Sequence, residues 1–548
     1  MIADESFDPI SLEIMWSRLI SIADEMWLTV LRTAVSTVIG AAHDFGCEIM
    51  DAGGNSLAHA QRSMPVFNLV MSTATRAVIT HYPLEAMRDG DVFITNDPWA
   101  CAGHLDDITV VTPVFRRARV VAFLTTMAHA TSVGGSLAAG KVQDLYEEGL
   151  FIPICTLYEA GAANQTTLAF IRNNVRTPEM VLTDIEAQVT ANTLGAERLQ
   201  AFLAEYELDD FEALAQTIQE RAERAMRNAI QAIPNGVYCN EIETDGHGPD
   251  EPVCLRCRIQ VDDDLIVVDY TGSDAQRMDG GINCTLAYTT GHTIYPLKCL
   301  LAPSVPNNEG TFRPITIIAP QGSILNCTSP VSVNDRTKTG WHIHPLLFGA
   351  LAQALPDRVQ AGNGLMFALN AYGQSAEGQT FNAHFFSGGG RGASRGRDGI
   401  GRNCFPSSAR NVSIEVFESR APILVRQRAL RPNSAGGGQW RGAFGQEITM
   451  SRLPGFSQPV HCSFRPDRLR HAPDGLAGGQ NGPLTDVLLN GERLADEVVQ
   501  AGHVVLEREE DWLTVRLPGG AGFDDPAYRD PAALEADVRS ALMAPDAV

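Results

Sequence analysis

Between Val92 and Met127 three short runs, VFIT, ITVVTPV and VVAFLTTM, follow one another with polar or glycine-containing stretches between them. Runs this short, rich in β-branched and aromatic residues, read as strands. They place two polar pieces, Asn96–Asp107 (NDPWACAGHLDD) and His129–Gly135 (HATSVGG), at strand ends. Polar residues on loops held by rigid strands are where sites form.

Around this stretch the pattern changes period. Asp8 and Pro9 make a helix start, and Ile10, Ile14, Ile20, Met26, Leu31, Val35 and Val38 recur at helical intervals to about Ala42. CEIMDAGGNSLAHA reads as strand, glycine turn, strand. Residues 166–232 read as helical, with Leu214, Ile218, Ala222 and Met226 on one face, until Pro234-Asn235-Gly236 stops the pattern. Val253–Tyr270 then alternates as strands. Beyond 270 the spacing predicts one helix over Leu346–Leu355, glycine-rich loops, a mainly β segment over Asn411–Leu517 and a short helix over Pro531–Met543. No internal repeat is present. The expected fold class is mixed α+β and multidomain, with a helix-rich N-terminal half that also carries strands and a strand-rich C-terminal half. The expected divisions are 1–235, which contains the candidate site, 236–410, and 411–548, mainly β with a terminal helix.

A length of 548 residues and 44% hydrophobic content are ample for buried cores. A net charge of −23 argues against a nucleic-acid surface or an anionic membrane. No window is apolar enough to span a bilayer, and the acidic start MIADESFDPIS lacks the features of a secretory signal. With 11 scattered cysteines, these features point to a cytoplasmic protein with reduced thiols.

Five constellations bear on chemistry. His104-Leu-Asp-Asp107, with His129 downstream, offers imidazole nitrogens and carboxylate oxygens from two segments, as a divalent cation requires. Asn96 and Asp97 just before it are candidates to support those ligands. Cys254-Leu-Arg-Cys257 lies on a strand pattern, where residues three apart face opposite ways, so it reads as structural. Trp341-His342-Ile-His344 is either a strand with both imidazoles on one face or a loop leading into a helix. The loop from Ser387 to Arg402 concentrates Arg391, Arg395, Arg397 and Arg402 among glycines; it is either an anion site or a solvated surface loop. Gly135–Val142 nearly spells a P-loop, but Val142 stands where a magnesium-binding hydroxyl belongs. GASRG around Ser394 lacks the strand-to-helix context of a nucleophile elbow. Any ATP is therefore expected on another chain.

At NDPWACAGHLDDITVVTPVF the sequence resembles the hydantoinase B family, whose segment runs roughly DVFxxNDPxxGGxHxxDxxxxxPVF. DPISLEIMWSRLISIADEMWLTVLRTAVS, NNVRTPEMVLTDIEAQVTAN, DYTGSDAQRMDGGIN, ALRPNSAGGGQWRG, DGLAGGQNG and GGAGFDDPAYRDP are similar to further family segments, so the resemblance spans the chain. It implies the B-type subunit of an ATP-dependent hydantoinase-like complex. In such a complex an actin-like A subunit binds ATP and phosphorylates the substrate oxygen, and the B subunit hydrolyses the activated cyclic amide. The alternatives are a subunit of an acetone or acetophenone carboxylase type of enzyme, or a structural subunit with a degenerate site. It further implies a divalent metal (zinc, manganese or iron) on His104, Asp107 and His129. Asp106 and His43 are then candidate proton acceptors, and Arg391, Arg395 and Arg397 candidate holders of the leaving phosphate. The chain departs from the family pattern at Ser132, where many members have aspartate, at Ala130 and Phe67, where some have histidine, and at the glycine pair before HxxD, which is Ala102-Gly103 here, preceded by Cys101.

Overall fold

The computed structural model describes residues 7–136, 142–248 and 251–544; positions 137–141 of the P-loop-like stretch lie outside these. The first helix, α1 (Pro9–Thr33), starts as its first residues require: the Asp8 carboxylate accepts the N–H groups of Ile10 and Ser11, and Pro9 fills the first turn. Next come β1 (Phe45–Asp51), β2 (Ser56–His59) and α2 (Pro65–His81). The predicted strands are β3 (Val92–Thr95), β4 (Asp107–Arg116) and β5 (Arg119–His129), followed by β6 (Cys155–Glu159) and β7 (Ala162–Ala163). These strands form one sheet in the order β2-β1-β5-β4-β3-β6-β7, with every pairing antiparallel.

Both faces of that sheet are buried. Phe123 and Met127 of β5 join the core containing Phe67 and Val70 of α2. Leu124 and Ala128 join the core containing Trp27 of α1 and Phe202 of the long helix α3 (Pro178–Glu205). Each fully buried side chain of this size stabilises by about 1.5–3 kcal/mol. Helices α1 and α3 approach so closely that a Cβ on Gly195 would lie 2.6 Å from the Met26 sulfur.

Three smaller sheets follow. Strands Gly236–Gly248, Glu251–Asp262 and Leu265–Asp269 run antiparallel, and Ile315–Ile318 joins the last of them in parallel. Met366–Gln374 pairs with Thr380–Gly388 and with Val460–Arg465, which carries His503–Leu506 on its far side. The fourth sheet is built on Gln446–Arg452 and Trp512–Arg516. The mixed α and β, multisheet class expected from the sequence is the class observed. No helix among the described residues is long and apolar enough to cross a membrane.

Two helices depart from the sequence reading. The one expected over 346–355 spans Ile343–Leu351, with Pro345 inside its first turn, where a missing N–H is harmless. This settles the Trp341–His344 motif as a helix start. A helix at α4 (Leu286–Leu301) was not expected. It is buried on nearly all sides and carries Pro296, so it shows no amphipathic stripe and contains a stop signal. The Cys254 and Cys257 side chains fall on opposite faces of their strand, and the glycine loops lie against one another. A Cβ on Gly442 would sit 1.8 Å from the Gly520 carbonyl oxygen, so these glycines serve close backbone packing.

One buried acid ties the second sheet to the C-terminal part. The Asp245 carboxylate accepts the N–H groups of Leu469 (2.6 Å), Arg470 (3.0 Å) and His471 (2.9 Å) and faces His471 Nδ1 at 3.1 Å. Burial alone would raise its pKa, but the His471 ring and the three N–H groups prevail and hold it at about 2. The same bond raises the pKa of His471. Asp245, lowered from its ordinary range, contributes stability that is full above about pH 4 and lost as pH falls through about 2; His471, raised, contributes stability that is full below about pH 6.5 and lost as pH rises through its higher value. Chemical denaturation across pH is therefore expected to peak between those limits, with an acid loss of about 2 kcal/mol that Asp245→Asn removes. An acid limb identical in the variant would refute this linkage.

Candidate metal centre and its cavity

The register of the first sheet assembles the site. Asp107 opens β4, His129 closes β5, and the two are direct cross-strand partners. His104 stands three residues before Asp107 on a turn that Gly103 makes possible. Gly103 has φ +90, and a Cβ there would lie 2.9 Å from the Tyr288 Cβ and 3.1 Å from the Arg336 Cδ. One ligand atom from each of His104, Asp107 and His129 lies within 4.8 Å of the other two. His104 Nε2 is 2.9 Å and His129 Nδ1 3.1 Å from Asp107 Oδ1. His104 Nε2 nevertheless makes no hydrogen bond of acceptable geometry among the described residues, and neither does its Nδ1, although that atom is 3.4 Å from Asp106 Oδ2. Two buried imidazole nitrogens short of partners, beside a carboxylate, make a donor set that fits a divalent cation.

The electrostatics agree with that fit. Burial, helped by Arg336, lowers the His104 pKa to about 4, so its ring is neutral near pH 7 and keeps a free lone pair. Asp107 is completely buried; burial opposes its charge, but His104, His129 and Arg336 hold it far below the usual carboxylate range. Arg336 Nη2 meets Asp107 Oδ2 at 2.9 Å, which leaves Oδ1 turned to the histidines. His129 titrates above its ordinary value: burial pulls it down, while Asp107, Asp44 and Asp106 raise it.

These residues line a cavity of about 210 Å3 shared with Asp44, Asp106 and Glu148. Asp106 is where the sequence placed it. His43 is not: its backbone is left-handed at φ 57, its ring packs on Trp27 at 5.1 Å, and the residue lining the cavity is its neighbour Asp44. Burial pushes the Asp44 carboxyl up to about 6. Asn96 braces the loop from behind, donating to Leu105 O and Leu150 O and accepting from Ile152 N. Asp97 accepts the N–H of Trp99 and shapes the turn.

Arg391, Arg395 and Arg397 do not line this cavity. Arg391 lies over the Phe405 ring, Arg395 is paired with Asp524 and Asp357, and Arg397 is exposed on a turn closed with Ser394. The arginines that do line it are Arg176, Arg336 and Arg465, from sequence-distant segments with no motif to flag them.

Glu148 was also missed. One of its oxygens accepts from the Ser332 hydroxyl at 2.8 Å, from Asn334 N at 3.0 Å and from Val333 N; the other is buried without a partner among the described residues. Burial pushes its pKa up to about 7 against those hydrogen bonds, and Asp106 adds to the rise.

Residues 8–526 match the family model described as Hydantoinase B/oxoprolinase. The chain belongs to that family. It is 30% identical, over 97% of its length and 93% of the relative's, to a protein of Pseudomonas sp. (strain NS671) named for the B subunit of a D-/L-hydantoinase. The crystal structure of the ATP-dependent caprolactamase from Pseudomonas jessenii superposes with a TM-score of 0.91 at 25% identity, covering 99% of this chain and 95% of that one. An acetone carboxylase structure shares the fold, with a TM-score of 0.85 at 18% identity over 98% of this chain and 78% of that one.

Proposed function

We propose that this protein is the hydrolytic, B-type subunit of an ATP-dependent enzyme that opens a cyclic amide, and that His104, Asp107 and His129 hold a divalent cation in its active site. The observation that carries the reading is the convergence of two imidazoles and one buried carboxylate on one cavity wall. The likeness to an ATP-dependent caprolactamase over almost the whole chain gives that convergence its chemical setting. The relative named as a B subunit supports a hetero-oligomer; the partner in this reading is an A-type, actin-like subunit that binds ATP.

An unactivated amide resists attack by water, and phosphorylating its oxygen makes it reactive and water-sensitive, so it must be processed where bulk water is excluded. The ligand set lies in a cavity of about 210 Å3 rather than on the open surface. A divalent cation (zinc, manganese or iron) bound there supplies Lewis acidity. The protein's own groups do the rest. Asp106, partly exposed to the cavity beside His104, accepts a proton from the attacking water. Glu148, fixed through one oxygen and without a partner at the other among the described residues, carries a proton to the ring nitrogen as the C–N bond breaks; the acyl phosphate left behind takes a second water to give carboxylate and inorganic phosphate. Arg336 keeps Asp107 charged and oriented.

The test is reconstitution with the partner subunit and a screen of hydantoins, lactams and ketones, with and without bicarbonate. Ring opening in step with ATP hydrolysis, abolished by a chelator and restored by one of the three cations, is expected. ATP turnover that requires bicarbonate and carboxylates a ketone would overturn the hydrolytic reading.

A further inference from the structure

The cavity has guanidinium nitrogens that the cation reading leaves without a task. Arg336 is 5% exposed and immobilised on three sides. Its Nε donates to Ala102 O at 2.9 Å, its Nη2 meets Asp107 at 2.9 Å, and its plane lies over the Tyr288 ring at 4.6 Å. Its Nη1 is buried and has no hydrogen-bond partner among the described residues. A buried charged donor left unpaired is costly, and the rigid guanidinium cannot turn away to relieve it. Arg465, at the end of strand Val460–Arg465, lines the same cavity. It faces Asp335 through Nε at 3.2 Å, which leaves its two terminal nitrogens for another acceptor. The further acids of the cavity, Asp44, Asp106 and Glu148, all come from the first 148 residues, whereas both arginines come from the part beyond 330.

We propose that Arg336 and Arg465 form an oxyanion-binding subsite beside the cation ligands, which takes a phosphate or carboxylate group of the reacting molecule. Either oxyanion can accept one hydrogen bond from Arg336 Nη1 and a two-pronged pair from the terminal nitrogens of Arg465. A phosphate would come from the activated substrate, a carboxylate from the ring-opened product. The part the subsite plays in turnover rests on the hydrolytic reading above; its existence does not.

The full chain alone suffices for the test. It is titrated calorimetrically with inorganic phosphate and, separately, with acetate, as wild type, Arg465→Gln and Arg336→Lys, with metal content measured in each. Arg465→Gln is the main variant, because Asp335 keeps its partner Lys338 at 3.2 Å and the fold is expected to hold. Saturable one-site binding is expected in the wild type, weakened at least about 10-fold in both variants, with the metal content of Arg465→Gln unchanged. Preference for phosphate assigns the subsite to the activated substrate, and preference for acetate assigns it to the product. Loss of metal with arginine-dependent anion binding intact would count against the cation site while supporting this one. No saturable binding by the wild type, or affinities that neither substitution alters, would overturn the proposal.

Discussion

His104→Ala and His129→Ala, made singly, are each expected to lower bound divalent metal to a small fraction of the wild-type content and to reduce turnover of the reconstituted complex by about 10^3-fold or more. The size follows from the geometry. Three protein ligands are the minimum usual set for a catalytic site, and each of these residues supplies one of the atoms that lie within 4.8 Å of one another. Glu148→Gln provides the contrast. It preserves the oxygen that accepts from Ser332, Val333 and Asn334, so the loop and the metal are expected to remain while turnover falls by about 10^2-fold through loss of proton transfer. Elemental analysis beside steady-state rates separates the two classes. Full metal content and full turnover in both histidine variants would remove the site from the reaction.

Asp107→Ala is expected to differ in kind, because this residue is also a structural counter-ion. Its carboxylate is fully buried and neutralises an arginine that is itself 5% exposed. Removing it leaves a guanidinium uncompensated in the interior, at a cost of about 3–5 kcal/mol, whereas replacing both partners by apolar residues can be nearly neutral. The urea midpoint should fall steeply for Asp107→Ala and recover for the pair Asp107→Ala with Arg336→Met, while metal binding stays lost in both. A midpoint unchanged in the single variant, or a pair less stable than the single, would show that the contact does not carry this weight.

Residue chemistry and strand ends are legible in the amino-acid sequence alone. VFIT, ITVVTPV and VVAFLTTM announced strands, and the polar pieces between them held His104, Asp106, Asp107 and His129, which do share one cavity wall. Local signals were also correct at Asp8-Pro9, where a helix starts for chemical reasons confined to four residues. Local sequence does not record outcomes that depend on partners far along the chain. His43 and Asp44 are neighbours, yet only Asp44 lines the cavity, because the left-handed backbone at His43 sends that ring onto Trp27. The arginine-rich loop looked like an anion site because its charge is dense in sequence; in space Arg395 is already neutralised by Asp524, and the arginines of the cavity stand alone in their own segments.

The amino-acid order by itself determined which groups capable of gripping a cation this protein carries and that they sit where strands begin and end, because side-chain type and two-residue alternation are local properties. Only the tertiary structure decided which of them meet. Cross-strand register paired Asp107 with His129, and packing of segments more than 180 residues apart delivered Arg336 to Asp107 and Ser332 to Glu148. Such contacts are selected by burial and charge compensation summed over the whole fold, and no local pattern of residues records them.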